Sequence, residues 1–121
     1  MKKLIAFFEI PTADFRRAVD FYETILNVTL PAFECETEKM AFFTENGENV
    51  GAISYASDFL PSEKGVLIHF NVDEIEATLE KVLHKGGKVV IPKTKIEAEC
   101  MGFFAVFADT EGNHVGIYAD K

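Results

Sequence analysis

The chain has 121 residues, which fits one domain and leaves no room for two independent ones. Hydrophobic residues make up 48% of it and 12 residues are Phe, so we expect an aromatic-rich core and exclude a disordered chain. The formal net charge of -8 is offset by no basic patch, which excludes nucleic acid and anionic membranes as partners.

The N-terminal apolar run resembles a signal peptide but ends too early to be one. Glu9 and Pro11 interrupt it, and no segment approaches the roughly 18 apolar residues that a membrane span needs. Cys35 and Cys100 form no CxxC motif, and we interpret them as buried thiols in a reducing compartment. The sequence therefore predicts a cytoplasmic protein.

The first half of the chain predicts the order β-α-β-β-β. Residues 4–10 form a strand, and Asp14 is the N-cap of a helix because its carboxylate can accept hydrogen bonds from the first turn. Apolar residues at a spacing near 3.6 give this helix one buried face, formed by Phe15, Ala18, Val19, Tyr22 and Leu26. Asn27 ends the helix. Three strands follow, at 28–35, 38–44 and 49–55.

The second half predicts the same order. A strand at about 66–72 leads to a helix that starts at Asp73 and stops at Gly86-Gly87, because glycine favours a helix C-terminus. Ile75, Leu79, Val82 and Leu83 form its apolar face. Three strands follow, near 88–91, 102–108 and 114–119.

Internal sequence similarity indicates a duplication. Thr44-Glu45 followed by Val50-Gly51 parallels Thr110-Glu111 followed by Val115-Gly116, and Asp14 parallels Asp73 at the helix starts. A four-stranded sheet with one helix covers only one sheet face, so the two units must pair. We therefore expect an α+β fold: one domain, 1–121, of two βαβββ modules, about 1–56 and 66–121, joined by a linker at 57–65 and forming a cup-shaped mixed sheet.

Short motifs follow one another in a characteristic order in both halves. They are Phe8-Glu9-Ile10-Pro11, Asn71-Val72-Asp73, Gly86-Gly87-Lys88 and Asp109-Thr110-Glu111-Gly112-Asn113. Together they resemble the vicinal oxygen chelate superfamily, which includes glyoxalase I, extradiol dioxygenases and bleomycin-resistance proteins. The resemblance implies a cup whose floor holds a divalent metal through two side chains from each module. It also implies a homodimer, which in the bleomycin-resistance branch binds its ligand between chains.

The resemblance places the four metal-ligand positions at Phe7, Ala52, Leu67 and Gly116. None of these side chains can donate an electron pair to a metal. We therefore expect no cofactor and no metal at the standard positions, and no glyoxalase I mechanism. A divalent metal at a different position stays open.

Polar residues that share a strand face with these positions are the candidate site. Residues two apart lie on one face, which adds Glu9, Ser54, His69 and Tyr118 to the cup as ligand-binding candidates. Glu9 and His69 are the candidate catalytic pair, as acid and base or as ligands of a displaced metal. Alternatively, they pair with each other or with backbone and satisfy a buried polar patch. His114 is interpreted as a solvent-exposed turn residue.

Three functions stay open, the first of which the missing metal ligands favour. They are a metal-independent binder of a hydrophobic or aromatic small molecule, an enzyme (lyase, isomerase or dioxygenase) built on Glu9 and His69, and a vestigial pocket with an interaction role. By alternation, one ring from Phe42-Phe43 and one from Phe103-Phe104 should line the cup. A homodimer would also cover sheet edges that are otherwise exposed. Whether the modules pair within a chain or between chains stays open.

Overall fold

The chain, seen in a computed structural model that describes residues 4–98 and 100–121, repeats one order of elements twice. The first module contains β1 (Phe8–Pro11), α1 (Phe15–Leu26), β2 (Ala32–Glu34), β3 (Lys39–Glu45) and β4 (Glu48–Tyr55). The second contains β5 (His69–Asn71), α2 (Ile75–His84), β6 (Lys88–Lys95), β7 (Phe103–Ala108) and β8 (His114–Ala119). The predicted α+β fold of two βαβββ units is confirmed.

Each module forms one four-stranded mixed sheet with the same topology. The strand orders are β1-β4-β3-β2 and β5-β8-β7-β6. The first strand of each module runs parallel to the last, and the other neighbours are antiparallel. Parallel neighbours need a long crossover, which the helix and the two intervening strands provide. The helices therefore cover one face of each sheet and leave the other face free for a site.

The structure aligns the two modules differently from the sequence motifs, by one residue. The motifs align Gly51 with Gly116. Gly51 lies beside Phe8 and Phe43 on the helix-facing side, whereas Gly116 lies beside His69 on the opposite side. The structural counterpart of Gly116 is therefore Ala52. The two Val-Gly pairs align in sequence, but a shift of one residue along a strand moves every side chain to the other face.

Helix α1 begins and ends as predicted, but its buried face is rotated. The Asp14 carboxylate accepts a hydrogen bond from the Arg17 backbone N–H at 3.1 Å, and Asn27 ends the helix in the left-handed conformation. The buried residues are Phe15, Ala18, Phe21, Tyr22 and Ile25. Val19 and Leu26, which we expected inside, are only partly buried. Phe21 and Ile25 face inward because the helix packs against both modules rather than one sheet.

Helix α2 starts later than predicted. Its N-cap is Glu74 rather than Asp73, and its buried residues are Ile75, Thr78, Leu79 and Val82. Leu83 was expected inside but is 56% exposed. The inward stripe follows the i, i+3, i+4, i+7 pattern from Ile75, and Leu83 lies about 100° around the helix from Val82. Neither helix among the described residues is long and apolar enough to cross a membrane.

A single core joins the two modules within the chain. The buried Tyr22 ring of α1 lies 6.1 Å from Phe43 in the first module. Its centroid is also 6.0 Å from Phe70 and 6.3 Å from Phe107 in the second. Because one side chain contacts both sheets, the modules pack against each other through α1.

Both cysteines are exposed, so the prediction of buried thiols was wrong. Cys35 directly follows β2, an edge strand whose three residues are all exposed. Cys100 lies in the loop between β6 and β7. Most buried residues of this fold lie on the central strands and on one face of each helix, and neither cysteine is at such a position.

Candidate functional site

The sheet faces that point away from the helices carry the predicted cup residues. Glu9 and Ser54 lie on this face, where the Ser54 hydroxyl donates a 2.8 Å hydrogen bond to the Glu9 carboxylate. Strand register puts Glu9 beside Ala52 in the first sheet. It puts His69 beside Gly116 at the equivalent place in the second sheet.

Four positions correspond to the metal ligands of the family that the chain resembles. Their side chains are hydrocarbon groups or, for the glycine, a hydrogen atom. Phe7 and Leu67 are 53% and 41% exposed, and Ala52 and Gly116 are buried within β4 and β8. Among the described residues, no group of three or more His, Cys, Asp or Glu could hold a metal ion. The residues present therefore do not fit the family's metal centre.

Glu9 and His69 have different partners. The carboxylate of Glu9 accepts from Ser54, whereas His69 lies against Gly116 and meets the Phe104 ring edge-on, with centroids 6.0 Å apart. No hydrogen bond joins Glu9 to His69 within the part of the chain that the structure describes. The structure therefore does not bring the candidate catalytic pair together.

Tyr118 contacts a loop rather than the other polar candidates. Its hydroxyl accepts from the Gly102 N–H at 2.9 Å and lies 3.2 Å from an Asp120 carboxylate oxygen. Gly102 belongs to the loop that precedes β7. The four polar candidates therefore do not form one cluster. Glu9 and Ser54 bond to each other, His69 contacts an aromatic ring, and Tyr118 bonds to a loop.

The paired phenylalanines divide between the two faces of their sheets. Phe43 is buried in the core, so its neighbour Phe42 points to the opposite face, beside Ala52. Phe103 packs against the core, and Phe104 contacts His69 on the other side. One ring of each pair therefore lies on the face that carries the cup residues.

A cavity of about 730 Å³ opens on this face, and we call it the cup cavity. Its wall residues from the β-strands and the segment before β5 include Glu9, Leu67, Val106 and His114. His114 is half-buried and begins β8, so its interpretation as a solvent-exposed turn residue was wrong. Its position two residues before Gly116 could have identified it, since the two share a face.

The segment predicted as a plain linker supplies another wall of the cup cavity. Phe59, Leu60 and Ser62 line it. An isolated bridge joins Ala56 to Phe59, and the Ser62 N–H donates to the Asn113 side-chain oxygen at 3.0 Å. The two adjacent apolar residues in an otherwise polar stretch were the available sequence indication of this role.

The β7–β8 turn, Asp109–Asn113, holds the N-terminus of α1, and we call this contact the inter-module clasp. The Glu111 side chain has no exposed surface and accepts from the N–H groups of Ala13 and Asp14 at 2.8 and 2.7 Å. The Arg17 guanidinium donates to the same carboxylate at 2.8 Å. Burial opposes ionisation of Glu111, but the bonds from Arg17 and from the backbone N–H groups outweigh it and lower the pKa.

A buried carboxylate completes the clasp. Asp109 accepts from the Tyr22 hydroxyl at 2.7 Å and from the backbone N–H groups of Glu111 and Asn113 at 2.9 Å. Burial raises the pKa of Asp109 above its usual value. Burial, together with the charge of Asp109, raises the pKa of Tyr22 well above 10.0. Neither Asp109 nor Glu111 is among the residues that line the cup cavity, and their hydrogen bonds join the two modules.

Comparison with known families agrees with the fold. The model of the Glyoxalase/Bleomycin resistance protein/Dioxygenase superfamily matches residues 4–117. A protein from Didymella fabae described as a "Glyoxylase-like domain-containing protein" is 33% identical over 116 residues, covering 87% of this chain and 84% of that protein.

Solved structures share the architecture at low sequence identity. A glyoxylase/bleomycin resistance protein/dioxygenase domain from Frankia sp. has a TM-score of 0.75 at 14% identity, with 100% of both chains covered. A genomically encoded fosfomycin resistance protein from Listeria monocytogenes has a TM-score of 0.71 at 18% identity, covering 100% of this chain and 94% of that one. A glyoxalase I mutant from Zea mays has a TM-score of 0.72 at 17% identity, and this chain covers 46% of it.

Proposed function

We propose that this chain, which belongs to the Glyoxalase/Bleomycin resistance protein/Dioxygenase superfamily, binds a small hydrophobic or aromatic molecule in its cup cavity. The single observation that carries the proposal is the cavity itself. Its volume of about 730 Å³ is of the size that small-molecule sites have, and apolar residues dominate among its strand and linker walls. Leu67 and Val106 supply apolar contact, and Glu9 is a polar group that could orient a ligand.

The proposed binding mode does not use the family's standard metal centre. Phenyl, methyl and isobutyl groups and a glycine hydrogen occupy its four ligand positions. A cavity lined this way gains affinity by removing apolar ligand surface from water, about 25 cal/mol per Å². We derive no reaction step through a metal, because the side chains present could not hold one there.

Glu9 has a defined role in this proposal. Its carboxylate is held by the Ser54 hydroxyl, which fixes its position at the cavity wall. A fixed carboxylate accepts hydrogen bonds from an N–H or O–H group of a ligand at little cost in entropy. His114 lines the same cavity and offers another polar contact.

An enzyme built on Glu9 and His69 is not what we propose. Acid–base chemistry needs both groups within hydrogen-bond reach of one ligand, and of these two residues only Glu9 lines the cup cavity. Metal analysis of the purified protein separates the functions. Stoichiometric Zn, Ni, Fe or Mn that is lost in His69→Ala would contradict metal-independent binding, and sub-stoichiometric metal unaffected by His69→Ala would support it.

We further propose a homodimer. Apolar side chains at the rim of the cup face are exposed in the single chain, including Phe7 at 53% and Leu67 at 41%. Strands β1 and β5 are each at the edge of their sheet and offer unpaired backbone groups. A second copy would bury both features.

A cytoplasmic location is also proposed. Both cysteines are free, and both are exposed. Exposed thiols persist where glutathione and thioredoxin keep them reduced. The acidic composition, with a net charge of -8, agrees with a protein that associates with neither nucleic acid nor anionic lipid.

A further inference from the structure

The two module junctions are built differently. At one junction the inter-module clasp brings the β7–β8 turn onto the N-terminus of α1. At the other, the β3–β4 turn and the N-terminus of α2 leave a cavity of about 990 Å³, which we call the inter-module cleft. Its floor is formed by helix-facing side chains of β1, β3 and β5, and Phe8 is the one described residue that it shares with the lining of the cup cavity.

Turn length explains why the cleft stays open. Strands β3 and β4 are joined by Asn46 and Gly47 alone, both with the positive φ that a tight hairpin needs. Strands β7 and β8 are joined by the longer segment Asp109–Asn113, which reaches α1. The short turn leaves Glu45, the last residue of β3, at the wall of the cleft.

At the cleft, no cation stands in the position that Arg17 has in the clasp. Helix α1 begins at Phe15 and α2 at Ile75, so the position of Arg17 in α1 corresponds to Ala77 in α2. Ala77 lines the cleft. A methyl group therefore stands where the clasp has the guanidinium that neutralises its carboxylate.

Acidic groups surround this position. Glu45 lines the cleft at the end of β3, and Asp73 and Glu74 line it at the start of α2. Glu74 is the N-cap of α2 but makes no side-chain capping hydrogen bond, so the helix does not use its carboxylate. Lys81 is the cation among the lining residues, and Glu48 is a further acid. The negative potential attracts cations and repels anions.

The floor of the cleft is aromatic. The Phe43 ring lies 5.6 Å from Phe8 and 5.1 Å from Phe70, measured between centroids. Phe8 and Phe70 are only partly buried, so ring surface is available to a ligand. Aromatic faces bind apolar groups and also attract cations through the ring quadrupole.

We propose that the inter-module cleft binds an organic cation, an ammonium or guanidinium group carried on an apolar or aromatic body. The cationic group lies among Glu45, Asp73 and Glu74, in the place that corresponds to the Arg17 guanidinium. The apolar body packs on the rings of Phe8, Phe43 and Phe70. This site shares Phe8 with the cup cavity but has its own acidic residues, and it does not depend on the function proposed for the cup cavity.

Calorimetric titration with 2-phenylethylammonium tests the proposal, with neutral 2-phenylethanol as the matched probe. The ammonium probe should bind saturably, and the alcohol at least about tenfold more weakly. Glu45→Gln/Glu74→Gln should weaken ammonium binding by about tenfold or more, whereas Glu63→Gln/Glu80→Gln, with the same change in net charge, should leave it unchanged. Equal affinity for the two probes, or equal loss in both double variants, would overturn the proposal.

Two further variants separate this site from the cup cavity. Ala77→Arg supplies the missing cation from the chain itself, so it should block the ammonium probe and raise Tm. Leu67→Arg, in the cup cavity, should leave binding of the ammonium probe unchanged. If Leu67→Arg abolishes ammonium binding while Glu45→Gln/Glu74→Gln does not, the cation binds in the cup and the cleft proposal is wrong.

Discussion

At the scale of single residues, Glu111 contributes most clearly to the packing of the two modules. Its carboxylate has no exposed surface and satisfies two backbone N–H groups at the start of α1 as well as the Arg17 guanidinium. The positive end of the helix dipole also stabilises a carboxylate in this position. No local sequence pattern predicts this contact, because its partners lie more than 90 residues apart.

Glu111→Gln should therefore lower the free energy of unfolding by about 2–3 kcal/mol. The amide keeps the shape but loses the charge and one acceptor oxygen, and it leaves Arg17 unpaired. Arg17 is 51% exposed, so water can solvate it, which keeps the loss below that of a fully buried pair. Urea unfolding at neutral pH measures the change. Glu80→Gln, at an exposed position on α2, is the control and should stay within about 0.5 kcal/mol of the parent.

The same comparison has a defined pH dependence. The folded pKa of Glu111 lies below its usual 4.5, so its stabilisation is fully present above the unfolded pKa and is lost as pH falls through the folded pKa. The stability difference between the parent and Glu111→Gln should shrink below about pH 4.5. Asp109 has the opposite sign, because its raised pKa makes protonation favour the folded state, but both proteins contain it. A difference that grows on acidification would contradict the assignment.

Gly102 and Gly116 each lie against a neighbouring group that leaves no room for a Cβ. Replacing either with alanine should lower stability, by different amounts. A Cβ at Gly102 would collide with the backbone of Ala119, and one at Gly116 with the exposed ring of His69. Because a side chain can move and a strand cannot, Gly102→Ala should cost about 2–3 kcal/mol and Gly116→Ala about 1 kcal/mol. His69→Ala should remove most of the Gly116→Ala cost in a double-mutant cycle. Additive effects of these two substitutions would mean that His69 does not lie over Gly116.

At the scale of elements, the two helices differ in how they begin. The Asp14 carboxylate caps α1, whereas Glu74, at the equivalent position of α2, makes no side-chain capping bond. Asp14→Ala should therefore lower the free energy of unfolding by about 1 kcal/mol, and Glu74→Ala by a few tenths at most. Thermal unfolding of the two variants measures this. Equal losses would show that Glu74 also caps its helix.

Elements were predictable from sequence where the determinants are local. The Asp14 cap, the Asn27 end of α1 and the limits of β8, His114–Ala119, follow from residue type and alternation. Strand β5 was expected over 66–72 but spans only His69–Asn71, because pairing with β8 is limited to three positions. Strand ends depend on neighbours that are distant in sequence, and one sequence segment does not specify them.

At the scale of the whole molecule, the sequence predicted the duplication and the family, but it predicted only part of the candidate site. Alternation identified Glu9, Leu67 and the cup face. It could not show that Glu9 lines the cup cavity and His69 does not, since that depends on how the two modules pack. The sequence likewise did not show that the linker lines the cup cavity. The path of the linker is fixed by a hydrogen bond to Asn113, which is distant in sequence.

The proposed dimer belongs to this scale as well. Light scattering at micromolar concentration should give a mass near twice that of one 13.5 kDa chain, because association buries the exposed apolar rim of the cup face. Leu67→Arg should shift the equilibrium towards the monomer, since it places a charge in that rim. A mass of one chain for the parent protein would contradict the dimer.

The central claim is that the cup cavity binds an apolar or aromatic small molecule without a metal. Fluorescence titration of EDTA-treated protein with the neutral aromatic probe N-phenyl-1-naphthylamine tests it most directly. Binding should be saturable, at least about tenfold weaker in Leu67→Arg, and unchanged in Leu83→Arg, which carries the same charge on the exposed side of α2. Binding that appears only after a divalent metal is added, or that is equal in the parent protein and Leu67→Arg, would contradict metal-independent binding in the cup cavity.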